Sequence, residues 1–559
     1  MAKKNLGALI TAICVGGGGA VHAGTWAPLA NEPTFLNPPS SCAQYQNPNC
    51  APAGSLSYGG VINANLLTDG SVLFTAVAVD NSFGITFLEY KLIPDGVGSY
   101  VNGTWMQVAS LPNAETPQNT SGWGPDAFAS AVLPDGRVIY EGGEYSSDFQ
   151  FALASQGAVY DPIANTWQSV APPNFENLYP ADPPDRPGFN SIYTYPRYPA
   201  PQTSELVDAI GDSTSVVLPD GTFMLASKLS RQQALLDPTT LTWTLTGQGK
   251  HDVNSEEGWT LLPDGKVLTV DTDLDYWFGL VPTYRVGHSE LYDPQTGTWG
   301  SAGNTIEALT AFPDGEMGPA VLMANGIVFA TGAEGQNSLY DSAKHTWTAG
   351  PSFPTVAFNG QNLQLLASDT GAALLPNGNV LQSADTYGEA APTVFFEFDG
   401  TSLNPEPGTP NGPLEGGALL LVLPSGQILE FDGTTDVEIY TPTAADNRSY
   451  APYDIKVPTK VSRGAAYVVH GRLLNGVSQG AMEGDDWQMA TNYPLVRITN
   501  VNTGHVFYSR THDFSSMAVA DRKPATAKFD VPANQELGPS LLEVVTNGIA
   551  SAAIDVDVE

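Results

Sequence analysis

The feature that most constrains this chain is a repeat that returns seven times. One copy reads FASAVLPDGRVIYEGG and continues into GAVYDPIANTW. Its first half is centred on Gly70, Gly136, Gly221, Gly265, Gly326, Gly378 and Gly426, in the forms LTDG, LPDG, LPDG, LPDG, MANG, LPNG and LPSG. Its second half ends in Thr-Trp at Trp105, Trp167, Trp243, Trp299 and Trp347, with a weaker copy, DGTSL, ending at Leu403. Pro, Asp or Asn, and Gly are the residues that short turns demand. Each unit therefore reads as strand a, a tight turn, strand b, a loop, strand c, a second turn and strand d. Further PDG turns at 94–96 and 313–315 fall outside the seven-fold pattern, so the tripeptide alone is a weak marker.

Successive glycines are 44 to 85 residues apart. A four-strand unit with a period near ~50 is the signature of a kelch-type β-propeller. The last unit ends at VEIYTP without its Thr-Trp strand. The missing strand stands at the other end of the chain as GTWAPLAN, with Trp26. Residues 24–443 are therefore expected to form seven blades, with 24–30 closing the last and hiding the edges of an open ring. From 445 to 559 the pattern changes to short alternating strands, among them YDIKVP, AAYVVHG, YPLVRITNV and ATAKFDVP. These predict an immunoglobulin-like β-sandwich. The fold class is all-β, in keeping with 57 Gly and 44 Pro set between short apolar runs.

The first 23 residues carry Lys3 and Lys4, an apolar stretch and the small-residue pattern Val21-His22-Ala23. This is the form of a cleavable signal peptide, which predicts a secreted or periplasmic protein. No later segment has ~20 unbroken apolar residues, so no membrane span is expected. Cys42 and Cys50 then remain, and in an exported chain they are expected to form one local disulfide. The formal net charge is −36, which repels nucleic acid and anionic membranes. No phosphate loop, catalytic-triad motif or dinucleotide fingerprint is present, so no nucleotide cofactor is expected.

Signal peptide, seven kelch blades and a C-terminal sandwich together resemble the galactose oxidase and glyoxal oxidase family of copper radical enzymes. The resemblance covers nearly the whole mature chain. It implies a loop from the sandwich that runs up the propeller axis and carries a copper-binding histidine. FYSRTHDFSSM is similar to that loop, which puts His512 in the histidine's place. The rest of the copper site does not carry over. The family's Tyr-His pair falls on Gly416 and Gly417, its cross-linked cysteine on Ala129, and the partner tyrosine on Asp212.

Carboxylates stand where those ligands are missing. The residues just before strand a supply Asp126, Asp212, Glu256 with Glu257, Glu316, Asp369 and Glu415, in six of the seven blades. Strand a is the innermost strand, so these acids are expected to ring the central channel. Crowded acids there must be protonated, hydrogen-bonded or paired with a cation. One reading is an axial divalent-metal site of His512 with Asp212, Asp369 and glutamates such as Glu257, and with Asp126, Glu316 and Glu415 in reach. The other is that the acids cap turns and bind backbone N–H groups. DTDLD (Asp271, Asp273, Asp275) starts like a calcium loop but has Tyr276 where glycine belongs. His251, His288, His345, His470 and His505 show no metal spacing and read as ordinary residues.

The longest insertions lie on the face of the d–a and b–c loops, the same mouth the acids line. They carry Tyr193, Tyr195, Tyr198, Tyr276 and Trp277. Long loops on a rigid scaffold often carry function, and aromatic faces beside acids suit polyhydroxylated ligands. Two functional classes follow. One is a binding protein for a carbohydrate or cell-surface ligand. The other is a metal-dependent oxidoreductase or hydrolase acting on a carbohydrate or alcohol.

Overall fold

The computed structural model describes residues 23–33, 60–78, 85–112, 123–146, 150–151, 153–175, 210–228, 230–272, 287–311, 315–388, 390–410 and 417–559. Seven antiparallel four-stranded units form a β-propeller. Blade 1 comprises Gly60–Leu66, Val72–Ala78, Ile85–Ile93 and Thr104–Gln107. Blade 2 comprises Ala129–Val132, Val138–Glu141, Gly157–Asp161 and Thr166–Val170. Blade 3 is Ser215–Val217, Phe223–Ala226, Gln233–Asp237 and Thr242–Thr246. Blade 4 is Thr260–Leu261, Val267–Val270, His288–Asp293 and Thr298–Asn304. Blade 5 runs Ala320–Leu322, Ile327–Ala330, Ser338–Asp341 and Thr346–Ala349. Blade 6 runs Ala372–Leu374, Val380–Thr386, Ala390–Phe398 and Leu403–Pro405. Blade 7 takes Leu419–Val422, Ile428–Phe431 and Glu438–Thr441 from one part of the chain and Thr25–Pro28 from the other. Trp26 stands opposite Tyr440 in that closing pair.

The repeated residues explain why the blades form and stack. In the a–b turn of blade 2 the Asp135 carboxylate accepts from the backbone N–H of Arg137 at 3.0 Å, and Gly136 takes φ +82°. A side chain there would be strained and would also meet the Thr511 carbonyl at 2.9 Å. Each Thr-Trp strand hooks its blade to the one before. The indole N–H of Trp167 donates to Ala109 O at 2.8 Å, that of Trp243 to Ala171 O at 2.8 Å, and that of Trp299 to Gln233 Oε1 at 3.1 Å. Trp347 reaches Ser289 Oγ at 2.8 Å, and Trp26 reaches Pro407 O of blade 6 at 2.8 Å. A Trp between blades buries a large ring and satisfies its one donor at the same time.

The C-terminal residues form further sheet in the order Tyr453–Lys456, Ala466–Arg472, Pro524–Asp530, Val506–His512, Leu495–Asn500, Gly538–Thr546, Ile554–Val558 and Lys460–Val461. This unit packs beneath the a–b turns. The N–H of Thr511 donates to Thr68 O at 3.2 Å, Phe514 to Pro134 O at 3.1 Å and Met517 to Pro219 O at 3.0 Å. Between Arg472 and Leu495 the chain leaves this sheet and enters the propeller channel. Its Ala481–Met482 segment pairs antiparallel with strand a of blade 6 as a fifth strand. Gln479 accepts from Leu261 N of blade 4 at 2.7 Å, Gln488 from Ser215 Oγ of blade 3 at 2.8 Å, and Tyr493 donates to Leu66 O of blade 1. Most of this segment is buried, so it plugs the channel. Among the described residues no helix is long and apolar enough to cross a membrane.

Candidate functional site

The segments before strand a of blades 3, 4, 5 and 6 deliver Asp212, Glu256, Glu316 and Asp369 to the end of the channel opposite the C-terminal unit. There the acids meet the tip of the plug. Asp212, which leads into blade 3, and Glu256, which leads into blade 4, both accept short hydrogen bonds from the ammonium of Lys228. Lys228 follows strand b of blade 3. The plug adds Asp485, whose Oδ2 lies 3.2 Å from the same ammonium. Asp485 also gathers with Glu316 and Asp369, one oxygen of each lying within 4.8 Å of the others. Glu483 and Asp486 flank it on the plug, with oxygens of all three inside the same distance. Asp485 is thus the hub of the mouth.

The backbone is shaped to present these groups. Glu256 and Asp369 adopt φ of +52° and +48°, left-handed conformations that non-glycine residues adopt at a cost. Gly258 admits the plug: a Cβ there would stand 2.6 Å from Gly484 O.

Among the described residues one buried ammonium, that of Lys228, faces these acids and does not balance them all. Burial raises the Asp212 carboxyl to about 8 against the opposing pull of Lys228, with Glu256 among the acids that raise it further. Asp485 is likewise raised to about 8 by burial, again against Lys228. Burial and neighbouring carboxylates push Glu316 and Asp486 well above the usual range. Burial alone lowers Lys228, but its carboxylate partners reverse this and hold it well above an ordinary lysine. Among the described residues Asp212 Oδ1 is buried with no hydrogen-bond partner. Such a mouth takes up protons or a cation.

The other acids singled out in the sequence go elsewhere. Asp126 is buried on the blade 2 side, bonded through Oδ1 to the N–H of Ala127 at 3.1 Å, and raised by burial to about 6. Glu257 turns away to a second buried lysine. Lys250 Nζ lies 2.8 Å from Glu257, 2.6 Å from Glu290 and 3.3 Å from Asp271. Glu415, Tyr193, Tyr195, Tyr198, Tyr276, Trp277, Cys42 and Cys50 lie outside the described residues, as do residues 1–22, where the signal peptide is expected.

His512 is not on the axis. It ends the strand Val506–His512 opposite Lys528, on the side of the a–b turns. Its ring nitrogens lie 3.4 Å from Asp513 and 3.3 Å from Asp530. The expectation that it joins Asp212 and Asp369 is corrected here, for a physical reason. Its strand is held in register between Leu495–Asn500 and Pro524–Asp530, and the plug is the separate segment 473–494. That segment reads LLNGVSQGAMEGDDWQMATNYP, glycine-rich and without strand alternation, and its EGDD carries the acids. Lys228 was also unmarked in the sequence, because nothing local shows that it faces Asp212.

The copper radical plan does not fit. Ala129 opens strand a of blade 2, Asp212 is held by Lys228, Gly417 offers no ligand, and the histidine is at the wrong end.

No protein-family model matches the chain, and no curated protein matches it. Solved structures resemble it weakly. Virginiamycin B lyase from Staphylococcus aureus aligns at 8% identity over 75% of this chain and 98% of its own, with a TM-score of 0.40. The extracellular domain of a putative hybrid two-component system from B. thetaiotaomicron aligns at 11% identity over 74% of this chain and 44% of its own, with a TM-score of 0.41. YCF48 bound to a D1 peptide aligns at 10% identity over 76% of this chain and 98% of its own, with a TM-score of 0.38. Likenesses at this level bear on no functional question.

Proposed function

We propose that this protein is an exported binding protein, a kelch-type propeller with a galactose-oxidase-like plan and an immunoglobulin-like C-terminal domain. It recognises a carbohydrate or another cell-surface ligand at the mouth, with a divalent cation held among Asp485, Glu316 and Asp369. The observation that carries the reading is the hub at Asp485. The plug closes the channel and lines its end with more carboxyl groups than the Lys228 ammonium can pair among the described residues. Oxygen-only donors suit Ca²⁺, Mg²⁺ or Mn²⁺, and a bound cation can in turn hold the hydroxyl pairs of a sugar. Carboxylates left over from the cation accept further hydroxyl hydrogen bonds.

A second reading, a metal-dependent hydrolase or oxidoreductase, draws on Asp212 and Asp485. Carboxyls raised to about 8 are protonated at neutral pH and can act as general acids.

The test is calorimetric titration of the full mature chain with Ca²⁺ and Mn²⁺, followed by a glycan array with and without EDTA. The binding reading expects one equivalent of cation, weakened at least tenfold in Asp369→Asn, and glycan retention that EDTA abolishes. Turnover of a retained glycan in the presence of the cation would move the assignment to the enzyme. Absence of both cation and glycan binding would remove the binding reading.

A further inference from the structure

A second constellation, on blade 4, shares no residue with the groups around Asp485. His251 sits on the connection from blade 3, Asp271 directly follows strand b, and His288 opens strand c. The sequence separates them by twenty and seventeen residues, which is why no ligand spacing shows. The fold brings one ligand atom from each within 4.8 Å of the others. His288 Nδ1 is 2.5 Å from Asp271 Oδ2, and His251 Nδ1 is 3.6 Å from the same oxygen. The two imidazole rings stand 4.7 Å apart, tilted by 45°.

We propose that His251, Asp271 and His288 form a site for a divalent transition-metal ion of the zinc class, with further coordination positions open to solvent. Four features support it. Two imidazoles and one carboxylate are a donor set for Zn²⁺ and its first-row neighbours, whereas Ca²⁺ and Mg²⁺ prefer oxygen alone. The exposure is graded as an open site requires: the Asp271 side chain is fully buried, that of His288 is 24% exposed and that of His251 is 44% exposed.

The supporting contacts are also in place. Asp271 Oδ1 is held by Lys250 at 3.3 Å, which leaves Oδ2 for the ion. His251 is fixed through its backbone N–H, which donates to Glu290 Oε1 at 2.9 Å. Ser301 Oγ lies 3.3 Å from His288 Nε2, where it can accept the N–H of a ring ligated through Nδ1. Finally, among the described residues Lys250 is one ammonium against Glu257, Glu290 and Asp271, an acid-rich setting for an added cation. On binding, the proton now shared by His288 Nδ1 and Asp271 leaves that position. It goes to solvent from an imidazolium, or the neutral ring carries its proton on Nε2 instead. The ion takes its place between nitrogen and oxygen.

The probes are Zn²⁺ and Co²⁺ alone, added to the EDTA-stripped full mature chain at pH 7.5. The proposal expects one equivalent of Co²⁺ with d–d absorption, displaced by Zn²⁺. It expects His251→Ala to weaken binding at least tenfold while leaving the melting temperature unchanged, since that ring is half-exposed. Asp369→Asn at the mouth is expected to leave this binding intact, which separates the site from the one proposed there. Histidine NMR of the unmodified chain provides an independent reading, with Zn²⁺ shifting two ring signals. No bound ion in the wild type, no histidine shift, or Zn²⁺ binding lost in Asp369→Asn but kept in His251→Ala would each overturn the proposal.

Discussion

Lys228 is the residue on which the mouth depends. It is buried among Asp212, Glu256 and Asp485. Replacing it with methionine keeps the volume and strands the carboxylates. Removal of one partner from a buried ion pair costs about 3–5 kcal/mol, and chemical denaturation of Lys228→Met at pH 7 should show a loss of that size. The acids give a second expectation. Asp212 and Asp485 hold their protons up to about 8 in the folded protein, while an unfolded aspartate loses its proton near ~4. A raised carboxyl contributes stability that is fully present below the unfolded value and is lost as pH rises through the folded one. Between about pH 4 and 8 each such group removes up to ~1.4 kcal/mol per pH unit. Melting temperature should therefore fall across that window, and Asp485→Asn should flatten the slope. A slope identical to wild type would mean that Asp485 keeps no proton there. The sequence marked Asp212, Glu256, Glu316 and Asp369 because each stands just before an inner strand. It could not mark Lys228 or Asp485, whose roles depend on which distant segment faces them. His512 was misassigned for the same reason, since its local pattern does not say which of two connections enters the channel.

At the scale of elements, the blades were legible because each carries its own turn chemistry and all but blade 6 carry a tryptophan on the outer strand. Trp347 shows what that residue does. Its ring lies against Tyr340 at 4.9 Å between centroids, and its N–H donates to Ser289 Oγ in blade 4 at 2.8 Å. Trp347→Phe keeps most of the apolar area and loses the buried bond, for an expected cost of about 1–3 kcal/mol in urea unfolding. The plug was not legible. It forms no repeat, and its glycines look like those of any loop. Its fit can be tested at Gly258, where a methyl would stand 2.6 Å from Gly484 O. Gly258→Ala should destabilise by about 1–3 kcal/mol through overpacking. It should also shift the plug tip, and so weaken cation binding at Asp485 more than its effect on stability alone would produce.

The whole molecule is tied together at two places, and both are long-range in sequence. Thr25–Pro28 closes blade 7 against Glu438–Thr441, and the plug threads from the C-terminal unit through the ring of inner strands. The plug supplies a fifth strand to blade 6 and hydrogen bonds to blades 1, 3 and 4. The inner strands are lined by residues such as Leu261, Ala372 and Leu419 that are almost wholly buried in the intact chain. Without the plug, part of this apolar and hydrogen-bonding surface would face water inside an open channel. Burial of such surface contributes about 25 cal/mol per Å², so exposing it draws directly on the ~5–15 kcal/mol that stabilises an ordinary domain. The propeller and the C-terminal unit should therefore unfold as one cooperative body. Calorimetry of the full chain is expected to give a single transition whose calorimetric and van't Hoff enthalpies agree. A chain ending at residue 444 should melt at a much lower temperature or aggregate. Two resolved transitions in the full chain, or a truncated propeller with wild-type melting, would show instead that the plug sits in a channel that is stable without it.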